Sequence, residues 1–235
     1  MASSKPALTT NRLLAALPRD ECRGFLTACE PVELAFAEIL AEPGERIRHV
    51  YFPTGSFISL ATNPIDCRAS LEVSLVGDEG MLGSSLVLGV DVSLLHALVQ
   101  HGGGALRIDA ASFCRELEKR PALQRGLKRY LHVGIGQLAQ NAVCSRFHVV
   151  EARLARWLLT AQDRAHSAQF HVTHEFLAYM LGVRRVGVTR AASALQHRKL
   201  ISYSRGNVTI VDRDGLEAAS CGCYAADKMA YARIM

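Results

Sequence analysis

The sequence predicts an α+β chain: an N-terminal β-sandwich or jelly roll, one long helix, and a C-terminal winged helix-turn-helix. Three observations carry this. Between Val32 and Ile108, short apolar or alternating runs are punctuated by glycines, the pattern of antiparallel strands and tight turns. From Ala122 to Phe147 there is no proline, and an apolar stripe repeats at steps of three and four, a helical period. From Thr173 to Val211, two helical periods flank Gly182 and two alternating runs follow, the order of helix, turn, helix and hairpin.

The bulk numbers set bounds. A chain of 235 residues with 49% hydrophobic content can bury a sizeable core and suits one or two domains. Met1 to Pro6 lacks the apolar stretch of a signal peptide. No apolar run approaches the ~20 residues of a membrane span, so a cytoplasmic chain without a membrane partner is expected. Seven cysteines at irregular spacing fit reduced thiols better than a disulfide framework.

In chain order, Asn11 to Leu26 reads as one or two short helices. The strand-like runs are Val32 to Leu40, Arg46 to Phe52, Phe57 to Thr62, Leu71 to Val76, Leu94 to Gln100 and Ala105 to Ile108. Helix resumes at Asp109, and Pro121 suits the first turn of the long helix. Its stripe is Leu123, Leu127, Leu131, Gly134, Ile135, Leu138 and Ala142. Such a stripe packs either on the chain's own sandwich or on the same helix of a second copy. The second is preferred, with Leu127, Leu131, Gly134, Ile135, Leu138 and Ala142 at a homodimer interface, because Gly134 permits close approach. Val149 to Thr160 is a further amphipathic helix.

Thr173 stands where a side-chain oxygen can cap the helix ending at Leu181. Gly182-Val183 breaks the period. From about Arg184 to His197, Val188, Ala191, Ala192 and Leu195 form a buried stripe, leaving Val186, Thr189, Arg190, Ser193 and His197 outside with Arg185 on the flank. Leu200 to Tyr203 and Val208 to Val211 form a hairpin with Arg205 at its tip. Residues 173–213 hold seven Lys or Arg against two acids, the whole excess of a chain whose net charge is +5. That concentration reads as a phosphate footprint.

Glu42-Pro43-Gly44-Glu45-Arg46 through Ser59, and Phe176 through Arg185, in this order and spacing, resemble the Crp/Fnr family of bacterial transcription regulators, and the likeness covers nearly the whole chain. The resemblance implies a cyclic-nucleotide-binding-like sensor region over 1–120, a dimerisation helix over 121–148, a winged helix-turn-helix over 149–220 and a tail over 221–235. It implies a homodimer on double-stranded DNA at an inverted-repeat operator, with RNA polymerase open as a third partner. Arg184, Arg185, Thr189 and Arg190 are then expected to read or approach bases, and Thr173, His197, Lys199 and Arg205 to hold phosphates. Gly187 costs the helix about 1 kcal/mol against alanine and hints at close backbone approach.

Two departures from the family matter. Members that bind cyclic nucleotides use a Gly-Glu turn and a following arginine pair. Here the turn is Gly77 to Gly83, and Leu94-Leu95-His96-Ala97 stands where the arginine pair should lie. A cyclic phosphate would lose charge-assisted bonds worth ~1.5–3 kcal/mol each, so cyclic AMP is not expected as effector and the ligand stays unknown. In the second helix Val186 replaces a glutamate, which removes an acceptor for cytosine and shifts the preferred half-site.

Other chemistry is weak. Cys221-Gly222-Cys223 could be half a metal or redox site, but no second pair lies at zinc spacing. Cys22 and Cys29 are similar to the cysteines with which some family members hold an iron–sulfur cluster, yet two are too few. Cys67, Cys114 and Cys144 are scattered. No Gly-x-Ser-x-Gly, Walker loop or His-Glu-x-x-His occurs. Neither cofactor, metal nor catalysis is expected. The alternative function is a small-molecule or redox sensor that acts through protein contacts rather than DNA.

Overall fold

The computed structural model describes residues 9–62 and 70–235. Cys67 lies outside them. The chain forms two compact units, residues 1–58 with 76–131, and residues 59–75 with 132–235.

The first unit opens with helices α1 (Arg12–Ala15) and α2 (Arg19–Leu26). The Asn11 carboxamide accepts from the Leu14 amide at 3.2 Å, while its NH2 donates to the carbonyls of Pro53 and Gly80. Strands β1 (Glu30–Leu34), β2 (Ile39–Ala41), β3 (His49–Pro53), β4 (Phe57–Thr62), β5 (Leu71–Val76), β6 (His96–His101) and β7 (Gly103–Asp109) follow in the chain, with β4 and β5 falling largely in the second unit. They make a three-stranded sheet in the order β1-β7-β3 and a four-stranded sheet in the order β2-β6-β4-β5. The run read as Val32 to Leu40 is two strands, because Ala37 turns the backbone to φ +65°. Gly103 is required where it is: at φ +148°, a Cβ would stand 2.6 Å from the Gly55 carbonyl oxygen.

Phe25, Phe52 and Phe113 form the aromatic centre of this unit, with Phe25 and Phe52 edge to face at 5.5 Å. Phe113 comes from α3 (Ala110–Lys119), which starts at the expected place because Asp109 caps it through the Ser112 amide.

The long helix α4 spans Pro121–Phe147, about 40 Å at 1.5 Å per residue. Its stripe divides. Leu123 and Leu127 are fully buried in their own chain, Leu131 is half-buried, and Ile135, Leu138 and Ala142 are exposed. Leu127 is therefore withdrawn from the expected dimer face, since its side chain has no free surface to offer. No atom lies within 4 Å of where a Cβ on Gly134 would sit.

The second unit continues with α5 (Val150–Ala165), β8 (Gln169–His171), α6 (His174–Leu181), α7 (Arg185–His197), β9 (Ile201–Ser204), β10 (Asn207–Ile210), α8 (Arg213–Ala219) and α9 (Cys223–Ile234). Helix α5 is its spine and buries Leu154, Trp157, Leu158 and Ala161. Residues 221–235 are not a loose tail. Tyr224 is buried, its hydroxyl donates to Asp163 at 2.8 Å, and Asp227 pairs with Arg156 of α5 at 2.6 Å. Residues 59–75, read from the sequence as part of the sensor-like region, group with this unit. Glu72 accepts from Ser59 at 2.6 Å and from the Trp157 indole at 2.7 Å, and Asn141 donates to the Val73 carbonyl. Among the described residues, no helix is long and apolar enough to cross a membrane.

Candidate nucleic-acid interface

Thr173 is extended, and its hydroxyl oxygen accepts from the Phe176 amide at 3.1 Å, so α6 begins where the sequence expects. Gly182 ends it at φ +61° and returns its amide to the last turn. Arg153 of α5 is buried and donates to the Leu181 carbonyl, putting positive charge at the negative end of α6. The chain then turns through Val183 and the extended Arg184 into α7.

Val188, Ala191, Ala192 and Leu195 form the buried side of α7. The other side exposes Arg185, Val186, Thr189, Arg190, Ser193 and His197, with Arg184 exposed at the entry. Gly187 is half-buried, and a Cβ there would meet nothing of this chain within 4 Å. No internal packing calls for a glycine at that position.

Strands β9 and β10 pair with Ser204 opposite Asn207, leaving the two-residue loop Arg205-Gly206 at φ +50° and +83°, the left-handed pair that matches strand twist. Glycine suits position 206, where φ is +83° and a Cβ would lie 2.5 Å from the exposed His171 ring. Strand β8 completes this small sheet against β10.

Two of the seven cations counted in the sequence are held internally. Arg198 pairs with Glu151 at 3.0 Å, and Arg213 pairs with Asp163 at 2.7 Å. The other five, Arg184, Arg185, Arg190, Lys199 and Arg205, are exposed and enter no ion pair among the described residues. Unneutralised guanidinium and ammonium groups on one helix face and one hairpin tip can exchange counterions for phosphates.

His174, to which the sequence assigns only a surface or capping role, and Tyr203 gain a further part here. His174 stacks on Tyr203 at 4.3 Å, and the Tyr203 hydroxyl donates to the Val172 carbonyl at 2.6 Å. The wing is thereby pinned to α6. Burial, with Arg185 nearby, lowers the His174 pKa. Its Nδ1 lies 3.1 Å from the Thr189 hydroxyl, which also reaches the Arg185 carbonyl. Thr189 thus has partners of its own before any base arrives. Twenty-nine residues separate His174 from Tyr203, and no short-range pattern joins them.

In the first unit, the Gly77 to Gly83 turn is already engaged. Asp78 and Glu79 are buried and face Arg12 of α1 at 3.3 and 3.9 Å. Leu94 is exposed and His96 is half-buried at the start of β6. In the second unit, Cys144, His148, Cys221 and Cys223 converge. The hydrogen bond from Cys221 holds the Cys144 thiol below the usual thiol range. Burial pushes the Cys29 thiol up to about 12, where it stays protonated and inert.

Two helices across a glycine turn, a hairpin wing and an unneutralised basic face define a winged helix-turn-helix, the class of module that engages duplex DNA. Residues 152–219 match the model of the Crp-like helix-turn-helix domain. The fold is similar to that of solved transcriptional regulators of the Crp/Fnr family. FixK2 from Bradyrhizobium japonicum matches with TM-score 0.68 at 14% identity, over 82% of this chain and 98% of that one. The c-di-GMP-responsive global regulator CLP of Xanthomonas campestris matches with TM-score 0.66 at 16% identity, over 82% and 99%. A CRP-family transcriptional regulator from Thermus thermophilus, TTHB099, matches with TM-score 0.66 at 19% identity, over 80% and 96%. A search of the curated proteins finds no match.

Proposed function

We propose that the chain is a homodimeric, sequence-specific DNA-binding transcription regulator of the Crp/Fnr type that works without cyclic AMP. The observation that carries this reading is the exposed set Arg184, Arg185, Arg190, Lys199 and Arg205, left without acidic partners among the described residues while the chain's other cations in this stretch are paired. Arg185 and Arg190 are suited to guanine edges in the major groove, and Val186, 56% exposed, to a thymine methyl. Thr173, His197, Lys199 and Arg205 hold the backbone. Ile135, Leu138 and Ala142, beside Gly134, pair two copies. Each copy then offers one recognition helix to half-sites ~34 Å apart.

Independence from cyclic AMP rests on charge. A phosphate brought to the Gly77 to Gly83 turn meets two buried carboxylates that face Arg12, and Leu94 to Ala97 supplies no guanidinium. Calorimetry with cyclic AMP is expected to give no binding heat.

Fluorescence anisotropy on an inverted-repeat operator selected from random duplexes tests the main reading. Arg185→Ala is expected to weaken specific binding by ~1–3 kcal/mol and relax preference at one base position, with random duplex unaffected to that degree. Equal loss on both duplexes would remove the base-reading role.

A further inference from the structure

Helix α4 carries Cys144 in its last turn, and His148 follows the helix end with its amide still bonded to the Cys144 carbonyl at 3.1 Å. The i, i+4 relation therefore persists past the end of the helix and aims thiol and imidazole the same way. Cys221 and Cys223 flank Gly222, the N-cap of α9. Folding of the second unit brings the two pairs together across 77 residues. The three cysteines are buried and His148 is half-buried. Cys144 Sγ lies 3.5 Å from Cys221 Sγ, and Cys223 Sγ lies 3.5 Å from His148 Nδ1. All four donor atoms stand within 4.8 Å of one another.

Those spacings have a chemical meaning. Ligands at ~2.0–2.3 Å from a tetrahedral zinc ion stand roughly 3.3–3.8 Å apart along the edges of the tetrahedron. Three sulfurs and one imidazole nitrogen are a zinc donor set. The surroundings treat the sulfurs as acceptors. The Gln140 amide donates to Cys223 at 2.9 Å, and the positive charge of Arg156 favours the Cys144 thiolate. Donors aimed at ligand sulfur are the outer shell that orients and stabilises metal thiolates. Three thiolates around one divalent ion leave a net negative charge, and Arg156, shared with Asp227 at 2.6 Å, is the cation that acts on it. An iron–sulfur cluster interposes iron and sulfide between its ligands and spreads them wider.

We propose that Cys144, His148, Cys221 and Cys223 form a structural zinc site that clamps the start of α9 to the end of α4. The proposal rests on the second unit alone and is independent of what the chain binds on DNA. The ion would fix the joint from which the helix-turn-helix domain departs, in the way that closed zinc sites replace a larger apolar core.

The test is metal analysis of full-length protein, expressed with zinc in the medium and purified without a chelator or polyhistidine tag. About one zinc per chain is expected. Cys221→Ser and Cys223→Ser are each expected to lower bound zinc at least ~10-fold, with Cys29→Ser retaining all of it. Because a ligand variant could fail to fold, reduced, metal-stripped wild type is also titrated with cobalt(II). The strong visible bands of tetrahedral cobalt with thiolate charge transfer are expected, together with a higher unfolding temperature. Folded wild type that takes up neither metal would overturn the site. So would bound iron with acid-labile sulfide, or a Cys144–Cys221 disulfide in protein kept under reductant.

Discussion

Lys199 leaves α7 at φ +59°, a left-handed position that glycine usually fills. The ammonium is there at a conformational cost, which is a reason to look for its use outside the chain. Lys199→Gly is expected to raise stability by about 0.5–1 kcal/mol, read from the denaturant midpoint. The same change is expected to weaken operator and random duplex alike and to lower the salt slope by about 1. Loss of both stability and binding would mean that the lysine serves the fold. Tyr203 offers a second check. Tyr203→Phe keeps the stack on His174 but removes the bond to Val172, and should cost about 1 kcal/mol.

At the scale of elements, α4 carries one stripe with two fates. Its period runs unbroken from Leu123 to Ala142, so sequence spacing could find the helix but not the point where burial stops. That point is set by whatever packs beside Leu123 and Leu127, which spacing does not encode. Two substitutions separate the halves. Ile135→Asp is expected to convert the proposed dimer to a folded monomer in sedimentation at micromolar concentration. Leu127→Asp places a charge at a fully buried position and is expected to destabilise the chain by on the order of 4 kcal/mol, visible as early melting. The helix-turn-helix was legible in advance because all its signals are local: the Thr173 cap, the Gly182 turn and the stripe of Val188, Ala191, Ala192 and Leu195. The cysteine–histidine cluster was not legible, since C-x-C and C-x-x-x-H are unremarkable singly and meet only through the packing of α9. The same holds for Glu72 and Trp157, 85 residues apart.

For the molecule as a whole, Glu72 predicts how stability varies with pH. Burial raises its pKa from an ordinary 4.5 to about 7, against the hydrogen bonds from Ser59 and Trp157 and the more distant Arg164 and Arg156. Between those values the unfolded chain gives up this proton and the folded chain keeps it. The folded state therefore binds more protons, and stability falls as pH rises from about 4.5 through about 7, by roughly 3 kcal/mol in all. Glu72→Gln can still accept from Trp157 and donate to Ser59. It is expected to abolish that slope in melts run from pH 5 to pH 8, and an unchanged slope would place its origin elsewhere.

The short exposed end of α4 has a last consequence for the proposed dimer. Residues 134–147 make only about four helical turns, a modest seam beside those of obligate pairs. Such a seam lets dilution split the pair while each chain stays folded. Occupancy of an operator then climbs with roughly the square of the dose of chain, so the gene dose of the regulator is itself a sharp dial.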